Sequence, residues 1–567
     1  MRCRERHNPF TKLAQDLFAF HLLQSTENRG QAVRLAVFGA VFAVRRSTLC
    51  EPGLIPERPI PCPETCGRCY NSDVSRVLMV SSEVAPWAKT GGLADVAGSL
   101  PPALGTLGND VAAVLPRYAA VDIKSLKRVA EHWWVHLGPA AYELTIYLAR
   151  ADFPVYLVDC PELYALDRKG LYGENDKDYP DNHIRFAVLA RAALDVARYL
   201  FRTDIFHCHD WQAGLVPVYL HTTFATDPTF LGCRTIFTIH NLGYQGLFPK
   251  TAMGEAELDP SVFTLDGMEF YGRLSYLKGG IAFADALTTV SPTYAREIQT
   301  AELGAGLDGA LRTRAGELTG ILNGVDYDEW CPETDALIPA RYSPADLRGK
   351  QVCKEKLRQE FGLPAEAMER PLLGIVSRFT RQKGTDLIAE AAARIIAEDA
   401  YLVALGTGER EYEEFFRAME QEHPGRIAAR IGFDNRLAHL IEAGSDIFLM
   451  PSRYEPCGLN QMYSLKYGTV PVVRATGGLD DTIDEDTGFK FREYSGAALL
   501  IAVRAAVEAF ADRTSWRKRM CRGMEKDFSW RTSAAAYSEL YRRVSDLPPR
   551  FYGPLEAKSA VAGTGSR

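Results

Sequence analysis

Thr90-Gly91-Gly92-Leu93-Ala94-Asp95-Val96 and Thr476-Gly477-Gly478-Leu479-Asp480-Asp481-Thr482 are two versions of one phrase, placed far apart in a chain of 567 residues. Each copy follows a strand-like apolar run, at 77–82 and 470–473, and opens a segment with a helical pattern. A Gly-Gly pair in that position predicts unpaired backbone N–H groups at a helix N-terminus, where an anion can bind. The alternative is that the glycines only form tight turns between strand and helix. Either way, the repeat predicts two halves built alike.

Short apolar runs alternate with helical stretches in both halves of the chain. The runs cover residues 77–82, 111–114, 155–158, 204–206, 235–239 and 286–290, and then 372–376, 401–405, 427–431, 446–450 and 470–473. This alternation predicts mostly parallel sheets with helices on both faces. The sequence therefore predicts an α/β fold of two Rossmann-like, doubly wound domains, at 74–324 and 325–545, the second including the C-terminal helices. An extension at 1–73 precedes them and a tail at 546–567 follows.

Composition and charge narrow the class of protein. Hydrophobic residues make up 47% of the chain and charged residues 24%, which is typical of a soluble globular protein with large cores. A formal charge of −7 argues against a nucleic-acid partner bound by a broad basic surface. The longest apolar run, at 35–44, is too short to span a membrane. Seven scattered cysteines without framework spacing indicate reduced thiols and predict a cytoplasmic protein.

The extension differs in composition from the rest of the chain. Residues 1–73 are rich in Arg and Pro and show no alternation of strand and helix, so we expect a poorly ordered segment without a catalytic role. The alternative is a cleavable presequence, which the acidic residues and the scarcity of Ser disfavour. Cys62, Cys66 and Cys69 have spacing that hints at a metal or iron–sulfur site. Such a cluster needs a supporting fold that this short, Pro-rich segment does not offer. We therefore expect no metal and no cofactor.

Polar residues follow strands of the first half where a doubly wound sheet binds its ligands. The segment 207–211, His-Cys-His-Asp-Trp, follows one strand, and His240 and Asn241 follow the next. Two histidines and Asp210 could be metal ligands, but in an extended chain the histidines share one face and Asp210 points to the other. His240 could be a packing residue, yet its place at a strand end favours a role in the cleft.

The second half supplies the positive charge. Arg378 and Lys383 follow the strand at 372–376 and can converge on a diphosphate, although a solvated loop with ordinary surface cations is the alternative. Glu455 follows another strand and can meet sugar hydroxyls, or it can simply stabilise the helix that starts at Asn460. The segment 406–411 lacks the third glycine of a dinucleotide fingerprint, so a nicotinamide site is not expected.

Taken in order, these motifs resemble bacterial glycogen synthase and plant starch synthase. The resemblance covers about residues 76–541 and rests on the segments at 89–96, 209–211, 238–241, 323–326, 377–384, 455–459 and 476–479. It implies a GT-B fold, with two Rossmann-like domains facing across a cleft. It also implies metal-independent, retaining transfer of glucose from ADP-glucose to the 4-hydroxyl at the non-reducing end of an α-1,4-glucan. No base-reading residue supports ADP-glucose over UDP-glucose, so that expectation depends on the resemblance.

The resemblance also assigns roles to residues. It implies that Arg378 and Lys383 bind the donor diphosphate, that His240 and Asn241 bind the transferring glucose, and that Glu455 binds its hydroxyls near the reaction centre. Lys89, Gly91 and Gly92 would close over the phosphates, while Asp95, Asp210 and Asn323 would line the cleft. The remaining expected substrate-binding residues are Gly432, Phe433, Cys457, Gly458, Leu459, Asn460, Thr476, Gly477 and Gly478. Phe433 stands where relatives often carry Tyr, so it offers stacking without a phenol hydrogen bond.

Two other functions fit parts of the pattern. A catalytically idle nucleotide-sugar or glucan-binding protein could share the fold, but the full set of cleft motifs favours an enzyme. A glucan phosphorylase would carry pyridoxal phosphate on a lysine, and nothing in the sequence singles one out. Retention of configuration does not by itself assign a nucleophile, and Glu455 is not given that role.

Overall fold

The computed structural model describes residues 74–150, 152–174 and 177–548. The predictions for the extension, including Cys62, Cys66 and Cys69, lie outside these residues, as does nearly all of the predicted tail.

The first half of the described chain forms a nine-stranded sheet around which its core is built. Seven adjacent strands are parallel, and a hairpin adds two antiparallel strands at one edge. The central strands are buried on both faces, which explains why they read as continuous apolar runs rather than as alternating patterns. From edge to edge the strands are Leu318–Gly320, Ala286–Thr289, Arg234–Ile239, Ile205–His209, Arg76–Val80, Asp110–Pro116, Pro154–Asp159, Ala140–Arg150 and Lys127–Leu137.

Helices and short connections complete this half. Leu247–Phe248, Arg273–Ser275 and Glu269–Phe270 form a small three-stranded sheet, and Gly173–Glu174 pairs with Lys177–Asp178. The helices are Gly92–Thr106, Pro161–Tyr164, Asn182–Tyr199, Asp210–Ala213, Leu215–His221, Ala252–Glu255, Tyr276–Phe283, Pro292–Glu297 and Asp308–Thr313.

The second half contains a six-stranded parallel sheet. Its strands run, from edge to edge, Ile427–Ile431, Tyr401–Gly406, Leu372–Val376, Ile447–Met450, Val470–Arg474 and Phe489–Phe491. Its helices are Arg348–Glu360, Thr385–Ala397, Arg410–Glu422, Asn435–Gly444, Asn460–Lys466, Gly477–Thr482, Gly496–Ala511 and Arg513–Glu525. Every apolar run taken from the sequence forms a strand, and the predicted α/β fold of two Rossmann-like domains is confirmed.

The antiparallel hairpin was not predicted. Lys127–Leu137 and Ala140–Arg150 pair through a turn at Gly138, whose φ is +55°. In the first of these strands most side chains are at least partly exposed, so it lacks the apolar run that marks the buried strands.

The last helix, Trp530–Ser545, returns to the first half of the molecule. Its side chains Trp530, Tyr537 and Tyr541 are buried in the core built on the nine-stranded sheet. The amide of Asn109 also donates to Ser538 Oγ at 3.1 Å. The domain limits at 324 and 545 remain predictions, and this helix packs on the opposite side of the limit from the one assigned to it.

The helices of the described residues are short or carry charged residues. None of them combines the length and the apolar character that a membrane span requires.

Candidate active site

A cavity of about 1100 Å³ lies at the carboxyl ends of the two large sheets and is lined by residues of both halves. This is where doubly wound sheets bind ligands. Most of the predicted site residues line it: Gly91, Gly92, Asp210, His240, Asn241, Asn323, Arg378, Lys383, Gly432, Phe433, Glu455, Cys457, Gly458, Leu459 and Asn460. Lys89, Asp95, Thr476, Gly477 and Gly478 do not appear in its lining.

Asp210 links two strand ends on the first wall of the cavity. It follows the strand Ile205–His209 with a φ of +56°, and its Oδ1 accepts the backbone N–H of His240 at 2.7 Å. Burial raises the pKa of this carboxyl to about 7, although the backbone N–H groups of His240 and Asn241 oppose the shift. Asp210 therefore positions His240 at the cavity surface.

His240 is a buried, neutral histidine. Its Nε2 lies 3.0 Å from Nδ1 of His209, and burial lowers its pKa to about 3. A neutral imidazole offers one hydrogen bond to a hydroxyl and no positive charge to a phosphate. The ring is thus suited to a sugar rather than to a diphosphate.

The loop before the first Gly-Gly pair is held by a carboxylate that the sequence analysis missed. Glu83 is buried, lines the cavity and accepts from Thr90 Oγ1 at 2.6 Å and from the Thr90 backbone N–H. The Tyr172 hydroxyl donates to the same carboxylate. Glu83 lies just past the first predicted strand, so the rule that singled out His240 could also have found it. Lys89, in this loop, forms an ion pair with Asp95 at 2.6 Å.

Lys383 is placed by a glycine turn on the second wall. A short 3₁₀ helix, Arg381–Lys383, ends at Gly384, whose φ is +75°. A Cβ on Gly384 would lie 2.0 Å from the carbonyl oxygen of Pro451, so only glycine fits against the neighbouring strand end. This close approach brings Lys383 Nζ to both oxygens of Glu455, at 3.0 and 2.7 Å.

The two predicted phosphate cations differ in their surroundings. The ammonium of Lys383 balances the charge of Glu455, which also accepts a hydrogen bond from Ser452 Oγ at 3.0 Å. Arg378 is exposed at the cavity and, within the described chain, forms no ion pair; its guanidinium donates a long hydrogen bond to Gln382 Oε1 at 3.5 Å. A guanidinium in that state is available to an entering anion.

The two Gly-Gly copies have different roles. Gly91 is the N-cap of Gly92–Thr106, and a Cβ added there would meet no atom within 4 Å. In the second copy Thr476 Oγ1 donates to Glu297 Oε1 at 2.8 Å, and the Gly477 N–H donates to the same carboxylate at 3.1 Å. The anion at this helix start is therefore a side chain of the protein.

The second copy also needs glycine for packing. Gly477 has a φ of +46°, and its added Cβ would lie 1.9 Å from the carbonyl oxygen of Glu455. An added Cβ on Gly478 would lie 2.1 Å from that of Cys457. The structure thus does not bring Thr476, Gly477 and Gly478 into the cavity, but places them directly behind the loop that carries Glu455.

Phe433 lies at the edge of the cavity and is 90% exposed. It follows Gly432, which has a φ of +145°, and its ring faces can stack on a planar or sugar ligand. The cavity lining also includes residues to which the sequence assigned no role: Glu83, Tyr172, Trp211, Tyr244, Gln382, Thr407, Asp434 and Ser452.

The residues considered as metal ligands bond to the protein instead. His207 bonds Tyr541 and Thr238, His209 bonds His240, and Asp210 accepts backbone N–H groups. In the described residues, no group of three or more His, Cys, Asp or Glu side chains is arranged to hold a metal ion.

The two domains meet at a cavity with cations on one wall and a neutral histidine on the other. Together with the chain's matches to glycosyltransferase family models and to a solved starch synthase, this makes the protein a GT-B glycosyltransferase. A family model described as "Starch synthase catalytic domain" matches residues 76–313, and one described as "Glycosyl transferases group 1" matches residues 356–520. The chain belongs to the glycogen and starch synthase family, as its motifs indicated.

Named relatives agree. The glycogen synthase of Anaeromyxobacter dehalogenans (strain 2CP-C) is 52% identical over 479 residues, which are 83% of this chain and 100% of that protein. The glycogen synthase of Koribacter versatilis (strain Ellin345) is 48% identical over 482 residues, covering 83% and 98%. The catalytic domain of starch synthase IV from Arabidopsis thaliana, bound to ADP and acarbose, superposes with a TM-score of 0.76 at 33% identity, covering 83% and 99%.

Proposed function

We propose that the enzyme transfers glucose from ADP-glucose to the 4-hydroxyl at the non-reducing end of an α-1,4-glucan, with retention and without a metal ion. The observation that carries this proposal is the cavity wall that Arg378 and Lys383 line together. It is supported by glycogen synthases about half identical to this chain and by the starch synthase IV structure, whose ligands are ADP and acarbose.

Lys383 can serve Glu455 and a phosphate together. An ammonium has three N–H donors, and the two oxygens of Glu455 use two of them. The third is free for a diphosphate oxygen. As the bond from sugar to diphosphate breaks, negative charge grows on the leaving group, and Lys383 and Arg378 stabilise it.

Glu455 acts as a positioned carboxylate in this proposal rather than as a nucleophile. Lys383 and Ser452 both hydrogen-bond to it, which lowers its reactivity toward an anomeric carbon. This arrangement favours departure and attack on one face of the sugar through an ion pair. His240, neutral and at the opposite wall, binds a hydroxyl of the transferring glucose.

The proposed setting is the cytoplasm, with no nucleic-acid or membrane partner. The cysteines at 160, 208, 233, 331, 353, 457 and 521 are free thiols, which suits a reducing compartment.

The test is to incubate the purified full-length protein with glycogen and either ADP-glucose or UDP-glucose, with and without EDTA. We expect release of nucleoside diphosphate and incorporation of glucose that β-amylase removes as maltose. ADP-glucose should give the higher kcat/KM, and EDTA should change little. Binding of ADP-glucose without turnover would instead support the idle binding protein, and a preference for UDP-glucose would overturn the choice of donor.

A further inference from the structure

His209 is a fully buried histidine whose ring contacts the cavity residue His240. Its Nδ1 lies 3.0 Å from His240 Nε2, and the two ring centroids are 5.2 Å apart. Burial keeps both rings neutral by lowering their pKa values. Each neutral ring carries one N–H, so one of the two donates in this contact and the other accepts.

The other ring nitrogen of His209 shows which of the two histidines donates the hydrogen bond. Nε2 of His209 is buried and bonds to no side chain or backbone group that the structure describes. A proton there would leave a buried N–H without an acceptor, and orphaned buried donors are rarer than under-used acceptors. The proton of His209 therefore sits on Nδ1, and the ring donates to His240 Nε2.

A buried stack of tilted rings holds His209 in this orientation. The His207 ring lies 4.3 Å from it, and His207 is fixed in turn by the Tyr541 hydroxyl at 2.8 Å and by Thr238 Oγ1 at 2.6 Å. Tyr541 belongs to the last helix, Trp530–Ser545. The ring that contacts His240 is thus braced from behind by a residue far along the sequence.

We propose that His209 is a positioning residue that fixes His240 in its Nδ1–H tautomer, so that His240 presents a hydrogen-bond donor to a hydroxyl oxygen of the transferring sugar. Because Nε2 of His240 accepts from His209, Nδ1 is the ring nitrogen left for a ligand. His240 then donates a hydrogen bond and does not act as a base. The sugar as ligand rests on the proposed function, whereas the tautomer does not.

The tautomer can be measured without any assay of activity. The full-length enzyme is labelled with ¹⁵N-histidine, and long-range ¹⁵N–¹H spectra are recorded with and without the substitution His240→Ala to assign the His240 ring. We expect a protonated Nδ1 and a bare Nε2 on His240. A proton on His240 Nε2 would overturn the proposal whatever reaction the enzyme catalyses.

Kinetics then test the role of the tautomer. His209→Asn keeps an amide N–H close to the position of Nδ1, whereas His209→Leu removes the donor and keeps much of the volume. We expect His209→Leu to lower kcat by about 10-fold or more with ADP affinity unchanged, as loss of a tautomer-fixing partner does. His209→Asn should recover most of that loss.

The matched control is His207→Asn, which alters the same buried stack without a hydrogen bond to His240. We expect His207→Asn to lower kcat less than His209→Leu does. Disturbed packing of the rings would then not account for the difference between the two His209 variants. Equal kcat values for His209→Asn and His209→Leu would contradict the proposal. So would a loss of kcat in His207→Asn equal to that in His209→Leu while the His240 tautomer of the His207→Asn variant stays unchanged. If the Leu variant does not fold, the spectra of the unsubstituted enzyme still decide it.

Discussion

The ammonium of Lys383 bonds to both carboxylate oxygens of Glu455, at 3.0 and 2.7 Å, where the two side chains are 21% and 6% exposed. Water screens such a pair only weakly. Removing one partner leaves the other charge without its counterion. The ion pair therefore links Lys383, the cation proposed to bind the diphosphate of the sugar donor, to Glu455, the carboxylate proposed to bind the sugar.

Lys383→Ala should lower kcat/KM by roughly 10²-fold or more, about 3 kcal/mol, because a preorganised charge that stabilises the leaving diphosphate is lost. Binding of ADP, measured by calorimetry, should weaken as well. Arg381→Ala is the matched control, since Arg381 lies on the same turn, 66% exposed and paired with Asp386. Near-normal turnover of Lys383→Ala, or activity lost in EDTA and restored by magnesium, would show that the diphosphate is neutralised in another way.

His240→Ala and Arg378→Ala should fail at different steps. His240 is neutral and placed for the sugar, so its loss should lower kcat while ADP still binds. Arg378 is an exposed guanidinium on the diphosphate wall, so its loss should weaken ADP. Steady-state kinetics and ADP titration of both variants separate the two roles. The assignment fails if both variants lose ADP affinity equally.

Gly477→Ala should destabilise the protein by about 1–3 kcal/mol, because a left-handed residue gains a Cβ that collides with the Glu455 carbonyl. Activity should fall as well, since the loop that carries Glu455 must move. Gly91→Ala, in the matching phrase, meets no atom within 4 Å and only replaces one N-cap residue by a poorer one, so it should cost less than about 1 kcal/mol. Urea denaturation of the two variants gives the comparison, and equal destabilisation would refute the difference between the copies.

The buried histidines should make the fold sensitive to acid. Burial lowers the pKa of His207 and His240 to about 3, below the value of about 6.5 in an unfolded chain. The unfolded state therefore takes up protons first as the pH falls, so this stability is complete above pH 6.5 and is lost progressively toward pH 3.

The magnitude can be isolated with one substitution. Between pH 7.5 and pH 5, each such histidine should cost about 2 kcal/mol of unfolding free energy. Asp210, with a pKa raised to about 7, contributes with the opposite sign, so the comparison is between the unsubstituted protein and His207→Asn. Between these two pH values the unsubstituted protein should lose about 2 kcal/mol more unfolding free energy than His207→Asn. Parallel stability curves would contradict the assignment.

Deleting residues 1–73 should leave kcat/KM unchanged. Among residues 74–548, which the structure describes with short gaps, those that line the cavity include most of the cleft residues predicted from the sequence, and 83% of this chain covers the Anaeromyxobacter relative completely. The measurement is a comparison of full-length and truncated protein after both are shown to be folded. A loss of activity in the folded truncated protein would assign the extension a part in catalysis.

The sequence predicts those features of the fold and the site that depend on short stretches of the chain. The strands around His240 and Arg378 were predicted because a strand buried on both faces is a continuous apolar run, and the site residues because they follow such strands. The sequence does not predict what the second Gly-Gly segment binds, because its partner Glu297 lies 179 residues away from Thr476. The tautomer-setting contact between His209 and His240 likewise depends on how two strands align, which neither segment encodes alone.

The docking of Trp530–Ser545 has a consequence for how the protein is made. The nine-stranded sheet is complete in sequence at Gly320, yet part of its core is supplied by Trp530, Tyr537 and Tyr541. During translation, the surface of the first domain that this helix covers stays exposed until the ribosome has synthesised the second domain. The domain that is synthesised first is therefore finished last, and a chain released before Trp530 would expose the surface that the helix normally covers.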